Sequence, residues 1–313
     1  MIFLSIVRTD IPMTARLCRE TIAQLTRTYP SIRTGSLTTT AYGRPVEVMS
    51  IGTGGRQVLF SAAHHANEWI TTPLVLKFVE ELAEAEKNGG SIYGVAAATI
   101  TRYGTIHIVP MVDPDGVDLV TGAIAPGSPE YTAAEQIASN FPAIPFPDGW
   151  KANLRGVDLN LQYPAGWLQA REIKFAQGFT QPAPRDYVGR APLNQRESMA
   201  LAEFTAQIDP ALVLAFHTQG KVIYWQFRDI FVPGARELAE EFARVSGYEL
   251  EDTPYESSFA GYKDWFIQNF RCPGFTIEVG RGENPLPLSE FDEIYRDNLG
   301  ILVTAALGLP GGI

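Results

Sequence analysis

The sequence predicts a single α/β domain with a largely covered sheet, and three observations carry that reading. Segments of strand character alternate with segments of helical periodicity, no internal repeat breaks the alternation, and 313 residues suffice for one large core. The composition, 45% apolar with 19% charged and 11% aromatic residues, is that of an ordinary globular protein and argues against disorder, collagen-like chains and coiled coils.

The elements follow in order. Residues 14–28 carry Leu17, Ile22 and Leu25 at near-helical spacing and stop before Tyr29-Pro30, which predicts a first helix. Residues 36–51 alternate around Ala41-Tyr42-Gly43-Arg44-Pro45 as a hairpin, and 57–63 read as a compact strand. In 71–86, Leu74, Val75, Phe78, Val79 and Leu82 share one helical face. Residues 105–112 read as a strand closed by the turn Asp113-Pro114-Asp115-Gly116. The stretch 121–150, rich in Pro, Gly and Ala, reads as an irregular excursion over a sheet edge, the kind of loop that rims active sites. Helices are then expected at 194–208, 236–246, 261–268 and 292–307, and strands at 211–216, 221–227 and 274–279. The organisation expected is an N-terminal helical segment, 1–35, packed on a catalytic domain, 36–313.

Charge and cysteine usage exclude several classes. Lys and Arg total 25 against 35 Asp and Glu, so the net charge of −10 disfavours a nonspecific phosphate-binding surface, and no nucleic-acid partner is expected. An anionic small substrate would need a local basic pocket working against the global field. Cys18 and Cys272 are too few for a disulfide scaffold and fit neither a zinc finger nor a redox motif, so two buried thiols are expected. The N-terminus, Met1-Ile2-Phe3-Leu4-Ser5-Ile6-Val7 followed by Arg8 and Asp10, lacks the parts of a signal peptide, and no apolar run approaches a membrane span of about 20 residues. A cytoplasmic protein without a membrane partner is the expectation. Oligomeric state is left open.

Only four histidines are present, and two stand where a metal could use them. His65-Ala66-Asn67-Glu68 follows a buried strand and precedes a helix, where a turn aims two side chains at one point above the C-terminal edge of a sheet. His217 follows the apolar strand 211–216. Imidazole nitrogen and carboxylate oxygen suit zinc, and two His plus one Glu leave a coordination position open, as catalytic zinc requires. A His-x-x-Glu taken alone is weak evidence, since a polar turn with a hydrogen-bonded His has the same spelling.

The ordered context changes the weighing. Glu68-Trp69-Ile70-Thr71, Gly156-Val157-Asp158-Leu159-Asn160, His217 and Thr276-Ile277-Glu278 follow one another in the order found in the zinc carboxypeptidase family, which the chain resembles from about residue 36 to residue 305. Within that family, His64-His65-Ala66-Asn67-Glu68-Trp69-Ile70-Thr71-Thr72-Pro73, Asn160-Leu161-Gln162-Tyr163-Pro164-Ala165-Gly166-Trp167, His217-Thr218-Gln219-Gly220 and Gly261-Tyr262-Lys263-Asp264-Trp265-Phe266 look like the γ-D-glutamyl-meso-diaminopimelate peptidases that cut bacterial cell-wall peptides. Secreted relatives carry LysM wall-binding modules, and their absence fits an enzyme working on soluble muropeptides.

The resemblance implies a mixed, mainly parallel, eight-stranded sheet sandwiched by helices, one Zn2+ ion held by His65, Glu68 and His217, and a peptide substrate derived from peptidoglycan. Glu278 is then the group that moves the water proton. Lys151 and Arg155 compete for the role of oxyanion-stabilising cation. Tyr255 stands at nearly the spacing of the family's mobile tyrosine, and Asn160 matches a substrate-binding Asn. Leu161, however, occupies the place where strict carboxypeptidases have an Arg, which removes the bidentate clamp on a C-terminal carboxylate. Lys263, Arg271 and Arg281 are candidates to recognise the diamino acid instead. Asp158 is expected to orient His65, and Asp113-Pro114-Asp115-Gly116 to shape the backbone near the metal. His64 and His107 read as packing or hydrogen-bonded histidines. Two alternatives stay open: a metallocarboxypeptidase for other peptides, and a catalytically inactive binding protein of the same fold.

Overall fold

A computed structural model describes residues 5–308; Met1–Leu4 of the expected N-terminal reading, and the last five residues of the expected catalytic domain, lie outside the described residues. The strands are β1 (Arg33–Thr39), β2 (Pro45–Ile51), β3 (Arg56–Ala62), β4 (Ser91–Ile92), β5 (Val95–Ala96), β6 (Gly104–Val109), β7 (Leu212–His217), β8 (Val222–Tyr224), β9 (Glu249–Glu251) and β10 (Gly274–Glu278). The helices are α1 (Ala15–Thr28), α2 (Thr71–Lys87), α3 (Ala97–Tyr103), α4 (Pro114–Val120), α5 (Pro129–Ala138), α6 (Trp167–Ala176), α7 (Arg196–Ile208), α8 (Ala235–Ser246), α9 (Tyr262–Phe270) and α10 (Phe291–Leu307).

Eight strands form one sheet in the order β1-β2-β6-β3-β7-β10-β8-β9, while β4 and β5 make a small hairpin apart. The central run β6, β3, β7 and β10 is parallel, and the antiparallel pairs β1-β2, β2-β6 and β10-β8 lie outside it. The mixed, mainly parallel sheet expected from the resemblance is therefore present. β6 and β7 are buried along their whole length, as strands covered on both faces must be, and β7 is apolar from Leu212 up to His217. On one face α1, α2, α8 and α10 close a core containing Phe60, Phe78, Phe242 and Phe275; on the other, α7 and α9 pack with Tyr163, Tyr262 and Phe266. No helix among the described residues is long and apolar enough to cross a membrane.

Most sequence boundaries hold to within a few residues; four expectations need correction. The turn at Asp113-Pro114-Asp115-Gly116 is the start of α4: Asp113 is its N-cap, its Oδ1 accepts from the Gly116 N–H at 3.0 Å, and Pro114 fits a first turn because its missing N–H would have no partner there anyway. The stretch 121–150 is not wholly irregular, since it contains α5, capped by Ser128 with Pro129 in the first turn. Helix α6 escapes sequence reading because its inward face carries Lys174 one turn after Trp167 and Ala170, which breaks the apolar period. Both thiols are free, Cys18 buried and Cys272 only half-buried.

Candidate metal centre

Adjacent parallel strands bring the residues together. Strand β3 ends at Ala62, Ala63 turns at φ 48°, and a 3-10 helix, Ala66–Glu68, leads into α2. Its neighbour β7 ends on His217, and β10 ends on Glu278, paired in register with His217. Three side chains thus leave the C-terminal edge of the central sheet, where open α/β sheets place their sites. Helix α4 backs the turn at Ala66: a Cβ on Gly116 would stand 2.7 Å from that of Ala66 and 2.6 Å from the Ala152 carbonyl oxygen. Only glycine lets this helix approach the turn so closely.

His65, Glu68 and His217 each offer one ligand atom, all within 4.8 Å of one another. Nδ1 of His65 lies 2.9 Å from Glu68 Oε1, Nδ1 of His217 lies 2.9 Å from Glu68 Oε2, and the two Nδ1 atoms are 3.3 Å apart. Nε2 of His65 lies 3.1 Å from Asp158 Oδ1, so the carboxylate holds the Nε2–H and leaves the Nδ1 lone pair facing the centre. Asp158 is anchored in turn by the N–H groups of Asn160 and Asp186, at 3.1 and 3.2 Å. Two imidazoles and a carboxylate, buried and aimed at one point, are the donor set of a catalytic zinc site, and the residues fit that ion.

Around this centre lies a cavity of about 220 Å³, lined by Lys151, Asn160, Arg185, Tyr224, Lys263 and Glu278 among others. Lys151 reaches Glu68 Oε1 at 2.7 Å. Burial, and after it the Glu68 carboxylate, push the Glu278 carboxyl up to about 8. Asn160 accepts from the Tyr262 N–H at 3.0 Å through Oδ1. Lys263 is buried, donating to the Gln226 carbonyl at 2.6 Å and pairing with Asp264 at 2.6 Å.

Other sequence candidates stand elsewhere. Arg155 is exposed and outside the cavity wall, so of the two competing cations only Lys151 is in the cavity. Tyr255, 66% exposed, sits edge-on to Phe259 while its neighbours Pro254 and Ser257 line the cavity, which places it at the rim. Arg271 and Arg281 are exposed and outside the wall. His64 stacks on His217 with ring centroids 5.5 Å apart and meets the Tyr163 hydroxyl at 3.3 Å; His107 is held by Ser50 and Gln57, both at 2.8 Å. Sequence reasoning missed Lys174, Arg185 and Asp186, which line the cavity from a segment without a motif. The adjacency of Arg185 and Asp186 was their only signal.

Comparison with known proteins agrees with this geometry. The family model described as zinc carboxypeptidase matches residues 18–300. The chain is 45% identical over 284 residues to the γ-D-glutamyl-L-diamino acid endopeptidase 1 of Lysinibacillus sphaericus, covering 90% of this chain and 69% of that protein. It is 32% identical over 283 residues to the uncharacterised protein YqgT of Bacillus subtilis, covering 90% and 73%. The crystal structure of carboxypeptidase A from Helicoverpa armigera superposes with a TM-score of 0.71 at 17% identity, covering 96% of this chain and 75% of that one. With His65, Glu68 and His217 gathered at the sheet edge that this fold uses, the chain belongs to the zinc carboxypeptidase family of metallopeptidases.

Proposed function

We propose that this protein hydrolyses the amide between the γ-carboxyl of D-Glu and a diamino acid, diaminopimelate in the first instance, in peptides derived from peptidoglycan, using one zinc ion held by His65, Glu68 and His217. The observation that carries the chemistry is the convergence of those three donors within 4.8 Å beside a half-buried Glu278 that lines the same cavity. The substrate class rests on the 45% identity to an endopeptidase of that name. The ion, when bound, supplies Lewis-acid polarisation of a carbonyl and acidification of water.

The chain's own residues do the rest. Glu278, at the end of β10, takes a proton from the attacking water and returns it to the leaving amine. Lys151, on the Glu68 side of the cavity, supplies positive charge for the developing oxyanion. Asn160 presents its amide NH2 to a substrate carboxylate, since its Oδ1 is taken by Tyr262. Asp158 fixes the tautomer of His65, and Tyr255 at the rim is placed to cap a bound peptide. Leu161 lines the same cavity with no charge, which disfavours a strict carboxypeptidase for ordinary peptides.

The test is mass spectrometry of L-Ala-γ-D-Glu-meso-diaminopimelate incubated with the zinc-loaded protein. Free diaminopimelate, absent with a chelator and with Glu278→Gln, is the expected product. Stoichiometric zinc with no release would move the substrate to other peptides.

A further inference from the structure

Position 161 contributes an uncharged Leu to the cavity, and a different loop brings a guanidinium there. Arg185 enters the wall from residues 183–187, a loop laced to the segment that carries Lys151 and Asp158. The Pro184 carbonyl accepts from the N–H groups of Lys151 and Ala152 at 2.8 and 2.9 Å, Tyr187 O accepts from Asp158 N, and Ala183 N donates to Gly156 O. The arginine is therefore held against the metal-side wall by main-chain bonds.

Its side chain is fixed at one edge and free at the other. Nε of Arg185 donates to Asp186 Oδ2 at 2.6 Å, and Asp186 Oδ1 pairs with the buried Lys174 at 2.7 Å. Asp186 adopts φ 66°, a left-handed conformation that turns its N–H onto Asp158 Oδ2. Among the described residues no acceptor takes a hydrogen bond from Nη1 or Nη2 of Arg185, whose side chain is 43% exposed. The other cavity cations are engaged: Lys151 with Glu68, Lys174 with Asp186, and Lys263 with Gln226 and Asp264. A planar fork with two free NH2 groups, oriented by a carboxylate behind it, matches a substrate carboxylate bidentately, which an ammonium cannot do.

We infer that Arg185 binds one of the two substrate carboxylates that flank the scissile amide and thereby sets specificity, where position 161 offers only Leu. The inference rests on the proposed substrate, which carries a carboxylate on each side of the scissile amide: the α-carboxylate of D-Glu and the neighbouring carboxylate of the diamino acid. Asp186, with Lys174 behind it, is a positioning residue for this contact.

The experiment compares kcat/KM of the zinc-loaded protein on L-Ala-γ-D-Glu-meso-diaminopimelate and on two analogues, each with one of those carboxylates replaced by a carboxamide. Wild type is expected to prefer the carboxylate over one analogue by about 10- to 100-fold. Arg185→Met should bring that one preference close to unity, mainly through KM, and leave the other in place; the analogue affected names the carboxylate. Arg185→Lys should keep part of the preference, and it carries the test if the Met variant does not fold. Variants with both preferences undiminished, or a wild type with none, would overturn the inference alone. A zinc-bound wild type that cleaves no tripeptide would overturn the substrate reading and this inference with it.

Discussion

Two charge clusters, one on α4 and one at the sheet edge that α4 backs, teach how a site differs from a clamp. In the first, Arg44 spends its guanidinium on three carboxylates: Asp118 at 2.6 Å, Asp115 at 3.0 Å and Glu130 at 3.1 Å. Asp115 also accepts from Thr40 and Asp118 from the Ala15 N–H, so the turn between β1 and β2 is tied to α1, α4 and α5 at one point. At the sheet edge, the two imidazole nitrogens of His65 and His217 face each other at 3.3 Å with Glu68 between them, and the two NH2 groups of Arg185 meet no acceptor among the described residues. Both clusters are charged. Complete pairing makes the first structural, and directed, unmet valence makes the second a site for something else.

Substitutions should separate the two clusters, and the largest effect belongs to the site. His217→Ala is expected to abolish stoichiometric zinc binding and activity together while the protein stays folded, measured by metal analysis and circular dichroism; Glu278→Gln is expected to keep the zinc and lose about 10³-fold or more in kcat. Arg44→Met should do the reverse. It leaves three acids unpaired, so unfolding in urea should show a loss of about 3 kcal/mol, with zinc content per folded chain unchanged. If Arg44→Met stripped the metal without destabilising the fold, the division between clamp and site would be wrong.

Asp158→Asn is expected to have a smaller effect, weakening zinc binding about 10- to 100-fold in competition with a chelator, because the carboxylate orients His65 without coordinating the ion. The smallest concerns a histidine that the site does not use. Burial, and after it the Arg33 charge, hold His107 down to about 4. An unfolded chain takes up this proton near pH 6.5 and the folded one does not, so the contribution is intact above about 6.5 and is lost as the pH falls toward 4. His107→Gln should flatten the pH dependence of stability in that window by on the order of 1 kcal/mol; an unchanged profile would show that His107 is not its source.

How much of this was legible in the sequence depends on how local each signal is. Strands β3, β7 and β10 were readable because buried parallel strands are short and largely apolar, and His217 and Glu278 stand directly at the ends of two of them, where a chain position fixes a spatial one. Lys151 and Arg155 were inseparable by spacing, since only the fold shows that one lies in the cavity and the other in solvent. Arg185 was illegible for a deeper reason. Its position depends on main-chain bonds between residues 151–158 and 183–187, contacts that leave no periodicity or motif behind. Helices α4 and α5 were mistaken for loop because Pro and Gly were weighed as breakers, whereas Pro114 and Pro129 stand in first turns and Gly116 is required by the approach to Ala66.

The central claim is that one zinc at His65, Glu68 and His217 drives cleavage beside the diamino acid. It is tested most directly by titrating zinc into metal-free protein while following diaminopimelate released from the tripeptide. Release should rise in proportion to bound zinc and level off at one equivalent per chain, with no rise for His217→Ala. Release that is independent of zinc, or a His217→Ala protein that still responds to it, would contradict the account.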